Sequence, residues 1–548
     1  MNNKSINLII PNAKLVGIDI QNAFGKIPPG LIPVMGKITL KKIFESYNVK
    51  MPVYVGIEDN AEEVERYFEF FPDKSVFLIK TKSTRSISDT IAQMIQIYEE
   101  IVDNPIVINF ADTIVNDINP SLIGTNFISY TITDETERWT LFKKKGEKIL
   151  EISDKKFQLS ADEWLTFIGV WGCKESAQFY EILCQENEKN IREAFYQTIQ
   201  KYYNSSAKIT FQKTEDWIDV GHIDNYHSAR VKAINSRFFN QIMVDCDIGN
   251  LRKYSSKKKK LRDEINWFIS IPKELKYFIP NIYDYSLDFL NPFIEMEFYG
   301  YPPLDDCFVY ARFDYDTWDK IFRKLFSIIK IASKYTAEDN NLNQDLNEMY
   351  MGKTRDRLKA FIQDNKISSI TNKMFKINRQ QLISISMVLE SLEDFMQKFK
   401  IYNIKEFQVI HGDFCFSNIL YDNTHGIIKL IDPRGRFGRF TIYGDVYYDL
   451  AKLSHSVLGL YDFIIFQNYK LLQNSEFNYS LEWNVSDYHE ILGKIFKKHV
   501  ITNGFDIKRI RFIESLLFLS MLPLHNDYPE KQKVMMLRGL KILTDLLE

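Results

Sequence analysis

The stretch VIHGDFCFSNILYDNTHGIIKLID, from Val409 to Asp432, sets three polar side chains into an apolar pattern where packing does not ask for them. Asp413 and Asn418 stand five residues apart, and Asp432 ends the apolar segment 427–431, which reads as a strand. Phosphoryl transfer needs such a set: one carboxylate to orient an acceptor hydroxyl and take its proton, an amide and a second carboxylate to hold Mg²⁺ on the phosphates of ATP. A polar turn between strands, closed by a capping aspartate, is the alternative, and it does not require an asparagine at that spacing.

The order His-Gly-Asp, four residues, Asn, then a strand ending in Ile-Asp resembles the catalytic and metal-binding segments of the aminoglycoside phosphotransferase and choline kinase group, relatives of protein kinases. The resemblance implies Asp413 as the base and Asn418 and Asp432 as metal ligands. His411 reads as a buried structural histidine. Asp449, in GDVYYDLAKL, either caps a helix or braces the catalytic loop, as an aspartate does in the resembled group.

A chain of 548 residues exceeds one core, and its length predicts roughly two to four domains. A net charge of −2 predicts no long-range attraction to nucleic acid or to an anionic membrane. The five cysteines are scattered without metal-like spacing and read as reduced. No run reaches the roughly 18 apolar residues of a membrane span, and the N-terminus lacks a signal-peptide pattern, so a cytoplasmic location is expected. The sequence sets no oligomeric state.

In the first part of the chain, helical and strand patterns alternate: 6–10 strand, Ile38 to Tyr47 helix, Pro52 to Ile57 strand, Ala61 to Phe71 helix, Ser75 to Ile79 strand, Ser86 to Val102 helix, Ile106 to Asn109 strand. This predicts an α/β domain, a doubly wound sheet with parallel strands and ligands at their carboxyl ends. Asp112 stands just past one such end, and Asp219 lies far downstream in WIDVGHIDNYHSA. Two carboxylates brought together from distant segments suit Mg²⁺ on a nucleoside triphosphate. Farther on, WTLFKK and KILEISD read as antiparallel strands, and SADEWLTFIGVW, KESAQFYEIL and NIREAFYQTIQKYY as helices.

INLIIPNA, LIPVMGK, NFADTIV and WIDVGHIDNYHSA, in that order over about residues 5 to 230, resemble the sugar-phosphate nucleotidylyltransferases. The resemblance implies an NTP donor, CTP or UTP among the candidates, and Asp112 and Asp219 as metal ligands. The family's nucleotide loop is glycine-rich and carries cations; here only Gly17, Gly25 and Gly30 are present, and Lys14 or Lys26 is left to hold the triphosphate. A decayed domain kept for packing or regulation is the alternative.

The expected boundary falls at 234/235, with an α+β, two-lobed protein-kinase-like domain after it, small lobe about 235–304 and large lobe about 305–548. A small lobe offers a strand lysine for the α/β-phosphates and a helix glutamate to hold it; Lys253 and Glu264 fit, although Glu264 also reads as a surface residue. Lys257 to Lys260 read as a solvated turn. PFIEMEFYGYPPL resembles the hinge that hydrogen-bonds adenine, with Glu297 and Phe298 at its start. After Asp432, Arg434, Arg436 and Arg439 follow; Arg434, two residues on, is the candidate to steady an anionic group or the transferred phosphate, against a bland surface role. Helices are expected at 316–336, 379–400, 445–472 and 487–547, with His525 a candidate for the acceptor pocket.

These readings combine into a bifunctional enzyme that phosphorylates a small hydroxylated metabolite with ATP and then nucleotidylates the product, a chemistry suited to surface polysaccharide synthesis. A kinase with a non-catalytic first domain, and a scaffold with no catalysis, are the competing readings.

Overall fold

A computed structural model describes residues 5–34, 36–47, 50–59, 61–133, 135–156, 164–205, 208–228, 240–245, 248–365, 367 and 370–548. The junction 229–239, Cys246 and the first residues of the expected helix at 160–171 lie outside them. The chain divides into two compact units, Met1–Arg230 with Tyr310–Arg312, and Val231–Val309 with Phe313–Glu548.

The first unit is built on β1 (Asn7–Pro11), β2 (Val53–Ile57), β3 (Val76–Lys80) and β4 (Ile106–Asn109). Strands β1, β2 and β4 are buried along their whole length, as continuous apolar runs covered on both faces should be. Between them run α1 (Thr39–Ser46), α2 (Ala61–Phe70) and α3 (Ile87–Ile97). The Ser86 hydroxyl starts α3 by accepting from the Asp89 amide, and the helix stops at Ile97, short of the expected Val102, where a 3₁₀ turn over Glu99–Asp103 takes over.

β1 pairs in parallel with β2 and β4, and β2 with β3, which is the arrangement the alternation predicts. Beyond β4 the sheet changes direction. β5 (Thr113–Val115), β6 (Phe127–Thr131), β7 (Thr140–Lys145), β8 (Lys148–Asp154) and β9 (Leu165–Cys173) follow, and β9 runs antiparallel to β4, β6 and β7. The sheet is therefore mixed, in the order β8-β7-β9-β4-β1-β2-β3.

β9 corrects the expected helix: LTFIGVWGC is a strand buried at every position. A short apolar run has no periodicity to separate buried helix from buried strand, and its aromatic, β-branched and glycine content favours the pleated state. α4 (Ser176–Asn190) and α5 (Ala194–Ser205) pack on one another and complete the core around Trp171, Phe179 and Tyr202. β10 (Thr210–Lys213) pairs with β6, and β11 (Trp217–Asp219) pairs antiparallel with β5.

The second unit opens with an antiparallel sheet in the order β12 (Asn240–Asp245), β13 (Asn250–Ser255), β15 (Phe293–Glu297), β14 (Ile282–Ser286). α6 (Lys258–Ser270) follows β13 and buries Leu261, Glu264, Ile265, Trp267 and Phe268. The rest is mainly helical: α7 (Tyr315–Ala332), α8 (Lys353–Asp364), α9 (Ile385–Lys398), α10 (Val446–Val457), α11 (Asp487–Thr502), α12 (Ile507–Met521) and α13 (Pro529–Leu547). α12 is apolar nearly all round and buried accordingly, with α10 and α13 packed against it.

Between α9 and α10 lie β16 (Phe407–Val409) and the hairpin of β17 (Ile419–Asp422) and β18 (Ile427–Leu430). The expected helix 445–472 ends early, because β19 (Tyr469–Ser475) pairs with β20 (Asn478–Trp483) as a hairpin. Among the described residues no helix is long and apolar enough to cross a membrane, and Cys173, Cys184, Cys307 and Cys415 are free thiols.

Candidate active sites

In the first unit, Asn12 and Asp112 sit just past the carboxyl ends of the adjacent parallel strands β1 and β4, where α/β sheets bind ligands. The Asp112 carbonyl accepts from the Val220 amide at 2.9 Å, which ties the segment after β4 to the segment after β11. Asp219 is thereby carried to Asp112. A methyl group at Gly221 would stand 2.6 Å from Asp112 Oδ2 and 3.2 Å from Asp219 Oδ1, so the residue between the two carboxylates has to be glycine.

Asp219 is held from several sides. His222 Nδ1 and Asn225 Nδ2 each lie 2.7 Å from Oδ2, and the Gly221 amide donates to Oδ1 at 3.0 Å. The bond to Asp219 raises the His222 pKa above its ordinary value, favouring the imidazolium. The Asp112 carboxylate accepts from the Thr113 hydroxyl, 3.2 Å away. Burial, then the Asp219 charge, push its carboxyl up to about 6.

Two carboxylates that repel one another at a strand terminus fit a divalent cation. Among the described residues no cluster of three or more His, Cys, Asp or Glu is arranged to hold a metal alone; Mg²⁺ there would complete its shell with triphosphate oxygens. Asn12 is a further candidate that the sequence did not single out: its Oδ1 accepts from the Gly30 amide at 2.8 Å, while its buried Nδ2 has no partner among the described residues. The two lysines chosen for their charge are not gathered there. Lys14 is bound to Glu58 at 2.7 Å, and Lys26 is exposed.

In the second unit the β17–β18 hairpin brings Asn418 beside Asp432. Ile419 pairs with Leu430, and the Ile431 amide donates to the Asn418 carbonyl at 3.0 Å. Asn418 Nδ2 donates to the Asp413 carbonyl at 2.9 Å, leaving its side-chain oxygen as the atom suited to a metal. Asp432 adopts φ +54°, a left-handed conformation that costs a non-glycine residue energy and is found at functional turns. An amide oxygen and a half-exposed carboxylate at one hairpin end are the donor set Mg²⁺ takes beside phosphates.

Lys253, buried in β13, reaches Glu264 Oε1 and Oε2 of α6 at 2.8 and 2.9 Å and Asp432 Oδ1 at 2.7 Å. Burial works against the ammonium, but Asp432 and Glu264 outweigh it and hold the lysine protonated. Burial also raises the Glu264 pKa, and only the lysine makes an ionised glutamate tolerable there. Glu264 is thus no surface residue.

Lys452 of α10 lies 2.8 Å from Asp413 Oδ1. Burial pushes the Asp413 pKa up, and the Lys452 charge more than reverses this, holding the carboxyl well below the usual range. One turn earlier on α10, Asp449 accepts from the backbone amides of His411 and Gly412, both at 2.7 Å. The helix cap is Asp445, whose side chain takes the Tyr447 amide, so Asp449 is not the cap and instead holds the backbone just before Asp413. Burial carries Asp449 up to about 7 against those two amides. His411 is buried with an unpartnered Nε2, and burial lowers it to about 4, a neutral ring in keeping with a structural role.

At the expected hinge, the Glu297 amide donates to the Asn281 carbonyl at 2.9 Å and the Phe298 amide to the Gly249 carbonyl at 2.8 Å, so these two amides are engaged. Arg439 is committed to Asp345 and Asp339. Arg434 lies over Tyr448, its Nη1 3.4 Å from the phenol oxygen. His525 is half-buried at the end of a 3₁₀ turn, Leu522–His525.

No protein-family model matches the chain, and no curated protein matches its sequence. Among solved structures, a chain assigned as a glucose-1-phosphate thymidylyltransferase from Bacillus anthracis, with sucrose bound, is similar at 13% identity and a TM-score of 0.35, over 43% of this chain and 97% of that one. The inositol-1-phosphate CTP transferase of T. maritima is similar at 11% identity and a TM-score of 0.33, over 43% and 98%. A UTP-bound UGPase from Acinetobacter baumannii gives 10% and 0.32, over 43% and 95%. Each of these likenesses covers less than half of this chain.

Proposed function

We propose that the protein is a bifunctional enzyme whose C-terminal domain, 235–548, transfers the γ-phosphoryl group of ATP to a hydroxyl of a small metabolite. Its N-terminal domain, 1–234, then joins a nucleotidyl group to the phosphorylated product and releases pyrophosphate. The observation that carries the first half is the convergence of Lys253, Glu264 and Asp432 on one side and Asp413, Asn418 and Lys452 on the other. Packing gives no reason to bury two lysines against three carboxylates at the end of one hairpin.

In this reading the domain is two-lobed and kinase-like. Lys253, steadied by Glu264, holds the α/β-phosphates. Asn418 and Asp432 would hold Mg²⁺, which neutralises phosphate charge when bound. Asp413, kept ionised by Lys452, orients the acceptor hydroxyl and takes its proton as the new O–P bond forms; Asp449 fixes the loop that carries it. Arg434 steadies an anionic group nearby. In the N-terminal domain Asp112 and Asp219 would hold Mg²⁺ on CTP, UTP or another NTP, with Asn12 offering its spare amide hydrogens to the nucleotide. Placing both steps on one chain suits a pathway that builds activated precursors for surface polysaccharide.

The test is direct. Incubation with ATP, Mg²⁺ and a panel of hydroxylated metabolites should give a phosphorylated product by mass spectrometry, abolished by Asp413→Ala. Adding each NTP should release pyrophosphate, abolished by Asp112→Ala. The commitment of Lys14 to Glu58 favours a second reading, a kinase with a non-catalytic first domain; pyrophosphate silence across the panel while phosphorylation persists would establish it.

A further inference from the structure

A second group of polar side chains in the C-terminal unit is not used by the chemistry above. Tyr448 of α10 is fully buried, and Lys353, at the start of α8, places its Nζ 3.0 Å from the phenol oxygen and 5.3 Å from the ring centre. Arg434 reaches the same oxygen at 3.4 Å. Arg357, one turn along α8, lies close enough to Arg434 and Lys353 for the positive charges to oppose one another.

Several cations in this unit find carboxylates: Lys253 has Glu264, Lys452 has Asp413, Arg439 has Asp345, Arg509 has Asp445. Among the described residues no carboxylate forms an ion pair with Lys353, Arg357 or Arg434. The excess positive potential shows on the groups themselves. Burial, with Arg434 and Arg357, lowers Lys353 to about 8. Burial alone would raise the Tyr448 phenol, yet Lys353, Arg434 and Lys452 bring it down to about 7.

An independent observation leads to the same place. A cavity of about 540 Å³ is lined by Arg434 and Arg436 and, opposite, by Lys257 to Lys260 at the start of α6; Asp263 and Glu348 are the carboxylates on its wall. Lys260 is near enough to Asp413 to favour its ionised form. Arg434 belongs both to the cavity and to the cluster around Tyr448, so the basic surface runs on from the catalytic aspartate.

We infer that the phosphate acceptor is itself an anion, a small hydroxylated compound that already bears a phosphate or a carboxylate, with that group against Arg434, Lys353 and Arg357 and its hydroxyl towards Asp413. The inference rests on the kinase reading of this domain. In the step it describes, the acceptor oxygen forms a bond to the γ-phosphorus, the bond from that phosphorus to the β–γ bridging oxygen breaks, ADP leaves, and the hydroxyl proton passes to Asp413. An amino alcohol would bring a further positive charge to a site where cations predominate, and a neutral polyol would leave Lys353, Arg357 and Arg434 with hydrogen-bond partners but no ion-pair partner.

The test compares acceptors matched in size: a polyol, an amino alcohol, a polyol phosphate and a hydroxy acid, at saturating Mg²⁺ and ATP, in the full chain. The expected result is a kcat/KM at least about 100-fold higher for one anionic class, with Lys353→Met raising the KM of that acceptor about tenfold or more, Lys353→Arg restoring much of it, and the KM for ATP staying within about twofold. The polyol phosphate and hydroxy acid arms separate phosphate from carboxylate. Preference for the polyol or the amino alcohol, or a Lys353→Met effect that falls on ATP instead, would overturn the inference and leave the kinase reading intact.

If no acceptor is phosphorylated, the kinase reading falls and the acceptor inference with it. The anion site is judged separately by titrating inorganic phosphate while following phenolate absorbance. Phosphate should raise the Tyr448 pKa, an effect absent in Tyr448→Phe and weakened about tenfold in Lys353→Met; a flat titration would show that the cluster binds no anion.

Discussion

Replacing Lys452 by methionine keeps the length and apolar stem of the side chain and removes its charge from Asp413, 2.8 Å away. Unit charges about 4 Å apart at an effective dielectric constant of about 20 attract by about 4 kcal/mol. The Lys452 side chain is 12% exposed and that of Asp413 35% exposed, so solvent screening reduces this to about 2 kcal/mol. At about 1.4 kcal/mol per unit, the Asp413 pKa should rise by about 1.5 units. Because Asp413 titrates below its unfolded value, the pair stabilises the folded state above about pH 4 and loses that contribution as pH falls through the folded pKa.

Lys452→Met should therefore lower stability near neutrality and move the acid limb of kcat/KM upward by about 1.5 pH units. A double-mutant cycle with Asp413→Asn, read by denaturant unfolding, isolates the coupling without any substrate; about 2 kcal/mol is expected. If the two substitutions add within about 0.5 kcal/mol and the acid limb stays in place, the ion pair does not set the state of Asp413.

Asp413→Ala should lower kinase kcat by about two orders of magnitude or more while leaving pyrophosphate release from an added phosphorylated acceptor unchanged, checked by running both assays on one preparation. Asp112→Asn should abolish pyrophosphate release. Because the folded pKa of Asp112 is raised to about 6, the native state without Mg²⁺ binds the extra proton between about pH 4 and 6 and loses stability as pH rises through that window. Removing the charge should stabilise the first domain by about 1 to 2 kcal/mol at pH 7 and not at all at pH 4, by thermal melts, after allowance for partial exposure. Gly435→Ala places a methyl 2.3 Å from the Asp263 backbone at φ +74°; it should push the segment after Asp432 off α6 and cost at least tenfold in kinase kcat/KM.

The parts of the second site that could be read in the sequence are those whose geometry is local. Asp413 and Asn418 precede one hairpin and Asp432 follows it, so the pairing of its two strands brings them together at its open end. Lys253 and Glu264 lie on a strand and the helix that follows it directly. Lys452 escaped notice because its meaning depends on α10 packing beside a loop nearly forty residues earlier. Its signal was one helical turn: Asp449 and Lys452 share a face, and one holds the loop backbone while the other holds the loop's carboxylate. Lys14 shows the limit of reading charge alone, since a charge near the expected loop says nothing about which partner takes it, and Lys14 pairs with Glu58. Glu297 and Phe298 were placed by pattern, but whether a backbone amide is free for a ligand is decided by the neighbouring strand and loop, which the pattern does not contain.

The same distinction explains why the acceptor is visible only in the folded protein. Lys353, Arg357, Arg434 and Tyr448 come from three separate segments, and only Arg434 stands out in the sequence, by its place two residues after Asp432. What singles them out is a balance that only folding can strike: cations whose carboxylates never arrive, around a phenol that titrates far below its ordinary range. A stability-driven core would have paired those charges or replaced them with apolar groups, at equal or better stability. Their presence beside a basic cavity that shares Arg434 with them is therefore best explained by a charge the chain does not supply, one that arrives with the substrate.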